Sequence, residues 1–266
     1  MKKNIKLMPV NEKRVYEILF AVALIIFIIA TIFTKYNPLE IFFNFENFWA
    51  FLSQDFFPPM LPRASKIHTI LNGILVTVTM AIGSTTTAAL LAFVVALFAS
   101  NAVSPVKGSA KIVRGIATFL RNIPALVWAF ILFSSLGIGT GVGFIALFIT
   151  SFAFMVRAFA ETMDDISAGA IESLQSSGTG FIQTVIHGVI PGCMNGFLSW
   201  YLYCIEVNIR ASTIVGMVGG GGIGLVLFSY IKGFKYHIAF AIILIIAAIV
   251  IAVDLINGRL RKALGL

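Results

Sequence analysis

Apolar runs of about 20 residues or more, separated by short polar stretches, restrict this chain to one kind of fold. The run 18–33 contains no charged residue, and inside a lipid core such a segment must satisfy its own backbone N–H and C=O groups, which a helix does. Apolar residues make up 59% of the 266 and charged residues only 11%, a balance foreign to ordinary water-soluble domains. Six spans are expected at about 15–34, 67–99, 112–136, 141–163, 192–230 and 237–257. The fold expected is an all-α integral membrane protein of about six transmembrane helices in a single domain, 1–266. Within it, 1–66 form an N-terminal helix and interfacial segment, and 67–257 form the core. Two spans exceed a simple crossing. The second would reach roughly 50 Å against a hydrocarbon core of about 30 Å, so it must tilt, kink near Gly83 or project into water. The fifth must be interrupted.

The formal charge of +8 raises nucleic acid as a partner, but the basic residues sit at the edges of apolar runs instead of clustering with exposed aromatics, so nucleic acid is excluded. Their distribution reads as orientation in lipid. Lys2, Lys3, Lys6, Lys13, Arg14, Lys107, Lys111, Arg114, Arg259, Arg261 and Lys262 fall on one face, and Lys35, Arg63, Lys66, Lys232 and Lys235 on the other. The first face is therefore cytoplasmic, with both termini on it. Segment 170–191 falls there too, although it has no Lys or Arg and its placement rests on the number of crossings. The first run lacks a small-x-small cleavage site and is read as a retained helix. Phe42, Phe43, Phe45, Phe48, Trp49, Phe51, Phe56 and Phe57 put 35–66 in the outer headgroup zone. Cys193 and Cys204 lie roughly 16 Å apart along one helix and cannot pair. His68, His187 and His237 have no metal-ligand spacing, and no Ser/His/Asp set can be assembled. No metal, cofactor or catalytic residue is expected.

Segment 170–191, AIESLQSSGTGFIQTVIHGVIP, is polar and glycine-broken between two apolar runs. Ile171, Leu174, Phe181, Ile182, Val185 and Ile186 recur at helical spacing, with Gln175, Ser176, Ser177, Thr179 and Gln183 on the other face. Two short helices meeting at Gly178 and Gly180 are expected to form a knob, with Pro191 ending the second and opening the next span. A surface helix resting on the membrane is the plainer alternative. Glu172-Ser173-Leu174, Gly178 and Ile190-Pro191 are similar in type and spacing to the EAA loop of ABC-importer permeases, E-A-A, three residues, G and a distal hydrophobic-Pro. Ser173 and Leu174 depart from the two alanines, and Gly188 replaces the hydrophobic residue usual before the final pair. The SLQSSG wording, the stretch Glu206-Val207-Asn208-Ile209-Arg210 and the later GMVGGGGIG resemble the phosphonate-type branch. The resemblance covers roughly Gly73 to the C-terminus.

It implies a type I ABC importer permease (MetI-like) architecture in a cell membrane and a mechanical role without an ATPase site of its own. Glu172, Ser173, Leu174, Gly178 and Pro191 would belong to a coupling loop seated in a cytoplasmic ATPase subunit. The partners implied are two cytoplasmic ABC ATPase subunits, an extracytoplasmic solute-binding protein, a second permease subunit (a copy or a paralogue) and membrane lipid.

The second polar region, Glu206–Gly224, interrupts the fifth span. Four consecutive glycines, Gly219, Gly220, Gly221 and Gly222, make continuous helix unfavourable by up to about 1 kcal/mol each. They line a cavity or gate, or they form a tight packing seam. No Lys-Ser or Lys-Thr follows, so this is no phosphate-binding loop. Glu206 and Arg210, one turn apart, neutralise each other, or Arg210, Asn208 and Ser212 line the path of an anionic solute. Arg121-Asn122-Ile123-Pro124 sets a charge and a kinking proline in the third span and adds Arg121 and Asn122 to that path. Arg157 snorkels or pairs with Glu161, and Asp254 receives no role. Arginine suits a phosphonate-like oxyanion because its fork donates two hydrogen bonds to one group. Phosphate, phosphite or methionine carried by the same machinery, and an ion-coupled secondary transporter or channel, are the alternatives.

Overall fold

The computed structural model describes the backbone of residues 10–37 and 40–265, and their side chains except those of 10–12, 41–42, 166–168, 170–172 and 175. The described residues are helices and connecting turns, with no strand among them. The chain separates into two compact units, Met1–Pro58 and Pro59–Leu266. In the first, α1 (Val10–Thr34) exposes apolar side chains such as Phe20, Leu24, Ile28 and Phe33 on all its faces, as a helix dissolved in lipid does. The aromatic stretch behind it forms the short helices α2 (Glu40–Phe43) and α3 (Phe45–Phe51), the latter running on into a π turn at Leu52–Phe56. Neither is long enough to cross, and Phe45, Phe48 and Trp49 are exposed.

In the second unit, α4 (Ala64–Ala99) is a 36-residue helix, about 54 Å long. It runs unbroken through Gly83, so a kink there is not how it fits a membrane. The glycine serves packing instead, because a Cβ would stand 3.3 Å from the Phe144 ring. Ala81, Ser84, Thr85, Ala88, Ala92, Ala96 and Ala99 form a buried stripe of small residues on α4. Such a stripe lets helix axes approach closely where the hydrophobic effect gives little drive. Against it packs α7 (Thr140–Ser176), whose Met155, Val156, Phe159 and Met163 are fully enclosed with Val189, Cys193 and Phe197.

Between them α5 (Ser109–Asn122) and α6 (Ala125–Leu136) meet at an 83° bend. Ile123 is extended there (φ −91°, ψ 117°), the conformation that a following proline imposes. The third run is thus a broken pair. The fifth breaks as its glycines demand: α9 (Ile190–Val215) gives way to an irregular wide turn at 216–221, then α10 (Gly222–Lys232). The last helix, α11 (Tyr236–Leu264), packs Ala239 and Ile242 against Ile70 of α4 and Ile223 and Leu227 of α10. Among the described residues five helices are long and apolar enough to cross a membrane, and the bent pair makes six if it is one crossing. The chain is a multi-pass helical membrane protein.

Candidate functional site

The segment expected to couple lies at the far end of α7. The expected pair of short helices is replaced by the extension of the spans themselves. α7 continues as helix to Ser176, and no proline interrupts it. The chain turns at Gly178, which has φ +79° and nothing within 4 Å of where a Cβ would stand. This left-handed conformation favours glycine. Thr179 closes the turn, its Oγ1 donating to the Leu174 carbonyl at 2.8 Å, and the Gly180 N–H donates to Gln183 Oε1 at 3.2 Å. The one-turn helix α8 (Phe181–Thr184) then passes through a π turn, Val185–Val189, directly into α9.

Pro191 therefore neither ends a helix nor opens one at a break. It occupies the second position of α9, where the N–H it lacks would otherwise bond one turn back, and the widened turn just upstream accommodates its ring. Phe181, Ile182 and Ile186 are exposed on this tip, an apolar face on a polar loop. Ser173 is exposed, its Oγ donating to the Gly169 carbonyl at 2.9 Å. The side chain of Glu172 lies outside the described residues. Leu174 and Gly188 meet across the hairpin, since a Cβ on Gly188 would stand 2.8 Å from Leu174 Cδ1. The two departures from the EAA pattern thus compensate: the larger residue at 174 fills the space the glycine vacates.

A feature that sequence reasoning missed ties this hairpin to α4. Asp164, two turns before Glu172 on α7, receives five donors. Its Oδ1 accepts from Ser100 Oγ (2.5 Å) and the N–H groups of Asn101 (2.9 Å) and Ala102 (3.2 Å). Its Oδ2 accepts from Asn101 Nδ2 (3.1 Å) and Arg114 Nη2 (2.6 Å). Arg114 Nε in turn donates to the Ala99 carbonyl at 2.7 Å, satisfying an acceptor at the end of α4. Beside it Arg157 pairs with Glu161 at 2.9 Å and donates to Thr118 Oγ1 at 2.9 Å, so of its two expected fates the ion pair is the one observed. An aspartate at the very edge of an apolar run was the available signal.

At membrane depth the predicted residues divide. Glu206 and Arg210 pair at 2.8 Å, with Arg210 52% exposed and Glu206 19%. Arg121 lies in the last turn of α5, at the elbow of the bent pair, where a cation complements the helix dipole, with its guanidinium 5.8 Å from the centre of the Phe154 ring. Asn122 is exposed at the elbow beside it. Asn208 is enclosed, its Nδ2 donating to Thr85 Oγ1 at 2.7 Å and Ser151 Oγ at 2.6 Å, which joins α9 to α4 and α7. Ser212 is fully buried and donates to the Ile209 carbonyl at 2.8 Å. The geometry brings Asn208 and Ser212 to the bundle interior and leaves Arg210 and Arg121 on its surface.

Each of the four glycines is required. Gly219, Gly221 and Gly222 have φ of +108°, +80° and +70°, and a Cβ on Gly220 would lie 2.7 Å from Val215 Cγ1. Protein groups satisfy backbone at the break: the Gly219 carbonyl accepts from the Gly139 N–H at 2.9 Å, and just past the run the Ile223 N–H donates to Thr77 Oγ1 at 2.8 Å. Such satisfaction is what non-helical backbone in a membrane requires. Gly143 packs directly on Gly220, so in this conformation the run is a close seam between α4, α7 and α10.

An apolar bundle with one span broken at glycines, and a helical hairpin projecting from its longest helix, is the architecture of ABC-transporter permeases. It superposes on a chain of the MetNI methionine ABC transporter in an inward-facing conformation with a TM-score of 0.68 at 18% identity, covering 76% of this chain and 99% of that one. Residues 88–265 match the family described as binding-protein-dependent transport system inner membrane component, and the chain belongs to that family. The family is one of membrane components of transport systems. Among relatives, the phosphate-import permease protein PhnE of Mycolicibacterium smegmatis is 30% identical over 80% of this chain. This chain spans only 40% of that relative's length. The phosphite transport system permease protein PtxC of Stutzerimonas stutzeri is 32% identical over 76% of this chain and 74% of its own.

Proposed function

We propose that this chain forms half of the translocation pathway of an ABC importer for a small phosphorus oxyanion of the phosphonate type, with phosphite and phosphate as its chemical neighbours. The observation that carries the reading is that relatives 30% and 32% identical over 80% and 76% of the chain are named for phosphate and phosphite transport. The SLQSSG and GMVGGGGIG wording adds the phosphonate branch. ATP is hydrolysed by two separate cytoplasmic subunits, and an extracytoplasmic binding protein delivers the solute. The tip formed by Glu172, Ser173, Leu174, Gly178 and the exposed Phe181, Ile182 and Ile186 seats in an ATPase groove, where a rigid helical hairpin transmits motion without chemistry.

Both termini are cytoplasmic in a cell membrane, with Ser109–Leu136 counted as one bent crossing. A half-exposed arginine in the last two turns of α9, inside the fifth apolar run, is costly against lipid, which supports placing Glu206 and Arg210 at the face shared with a second permease, along the solute path. Arg121 and Asn122 stand at the elbow of that path. Asn208 and Ser212 hold the wall behind it, and Gly219, Gly220, Gly221 and Gly222 allow the wall to flex. Uptake of labelled methylphosphonate, phosphite, phosphate and methionine by proteoliposomes holding the chain, its ATPase and its binding protein tests the proposal. ATP-dependent uptake of a phosphorus oxyanion is expected, and uptake of methionine alone, or uptake without the ATPase, would refute it.

A further inference from the structure

At the end of the bundle opposite the hairpin, the first turns of α4, the last turns of α10 and the start of α11 enclose a groove of about 820 Å³. Arg63, Lys66 and Lys235 line it, and no acidic residue does. None of these three cations takes part in the ion pairs of the described residues, which join Arg114 to Asp164, Arg157 to Glu161 and Arg210 to Glu206. Among the described side chains of this unit the carboxylates are Glu161, Asp164, Asp165, Glu206 and Asp254, and none of them lines the groove. The start of α4 adds to the same field. Arg63 occupies its N-cap position without a side-chain cap, so the positive end of a 36-residue helix is left open beside the groove. Ser65, Thr69 and Tyr230 bring hydroxyls to the walls, and Leu225 and Ile238 give one wall an apolar surface.

Three cations lining one groove repel one another, and an anion between them relieves that repulsion while gaining charge-assisted hydrogen bonds. A concave site with cations, hydroxyls and an open helix N-terminus suits a compact tetrahedral oxyanion better than the broad face of an acidic protein. We propose that this groove is a binding site for a phosphate-type oxyanion group, presented by an anionic phospholipid headgroup or by a free phosphorus oxyanion. The site does not rest on the transport reading, since it exists in the isolated chain.

The test uses the full chain purified in detergent, as wild type and as R63Q/K66Q/K235Q, with K107Q/K111Q at the other end of the bundle as control. One arm counts phosphatidylglycerol retained by native mass spectrometry after exchange against mixed phosphatidylglycerol and phosphatidylcholine. The other titrates inorganic phosphate and methylphosphonate by calorimetry at low and high salt. The triple variant is expected to lose about tenfold or more in one arm, and the control to match wild type. Loss confined to the lipid arm assigns the headgroup, and loss confined to the free-ion arm assigns the solute. The variant K66R/K235R, which keeps both charges and disturbs packing less, is expected to retain binding and guards against a triple variant that misfolds. Wild-type binding by a folded triple variant in both arms overturns the site.

Discussion

Replacing Asp164 by asparagine separates the two halves of the clasp between α4 and α7. The asparagine carbonyl can take the place of Oδ1 and keep the donors from Ser100, Asn101 and Ala102, whereas its NH2 would face Arg114 Nη2 and Asn101 Nδ2, donor against donor. A charge-assisted hydrogen bond contributes about 1.5–3 kcal/mol when enclosed. Here the partners are 25% and 22% exposed, and water screens part of that. Asp164→Asn is therefore expected to cost about 1–2 kcal/mol. Asp164→Ala also strips acceptors from two backbone N–H groups at the end of α4, which adds about 1 kcal/mol and brings the loss to about 2–3 kcal/mol. Unfolding of the purified chain by sodium dodecyl sulfate in mixed micelles measures both, and a double-mutant cycle with Arg114→Gln isolates the pair. The cycle should return a coupling of about 1–2 kcal/mol that shrinks at high salt. Equal costs for the asparagine and alanine variants, or additive single mutants, would refute the division of labour between the two oxygens.

Gly178→Asp meets no neighbour, and aspartate tolerates positive φ better than most residues, so the chain is expected to fold while the added charge on the tip abolishes ATP-driven uptake in proteoliposomes but leaves ATP hydrolysis running. Gly188→Ala is expected to cost no more than about 1 kcal/mol, because its one close neighbour is the end of the flexible Leu174 side chain, and Leu174→Ala in the same chain should remove that cost in the detergent unfolding midpoint. Thr77→Val removes the acceptor of the Ile223 N–H at the glycine break and is expected to cost about 1–3 kcal/mol, read as faster hydrogen exchange at Ile223 and its neighbours. Asn208→Leu trades two interhelical hydrogen bonds for an apolar side chain and should cost only about 0.6–2 kcal/mol by the same unfolding titration, because Thr85 Oγ1 also bonds the Ala81 carbonyl and Thr85 keeps that partner.

Spans were legible because lipid demands length and apolarity, and both are local properties of the sequence. The breaks were legible for a similar reason: Gly219–Gly222 and Pro124 carry their conformational consequences with them. The extent of the helices was less so. Hydropathy ended the fourth span near 163, whereas α7 runs to Ser176, because hydropathy marks where lipid stops and says nothing of where a helix must stop. The first residue there that forces an end is Gly178, with its positive φ. Polar contacts were least legible. Arg114 was counted for orientation and Asp164 was passed over, since they are 50 residues apart and meet only after α5 folds back beside α7. Arg210 and Asn208 looked alike as polar residues of one span, but two residues on a helix are separated by about 200°, so one faces outward and the other inward.

That last distinction bears on how a motif should be read. Scored position by position, Leu174 and Gly188 are two mismatches to the EAA pattern and would weaken it twice. In three dimensions they occupy a single volume across the hairpin, one residue enlarged where the other is reduced, and a close-packed interior responds to the sum. Ser173 lies on the exposed surface of the tip, where packing places little demand on it. The three departures therefore leave the hairpin's shape intact, and what the pattern specifies is a turn at Gly178 with the contact between its arms, more than the identity of any residue but the glycine.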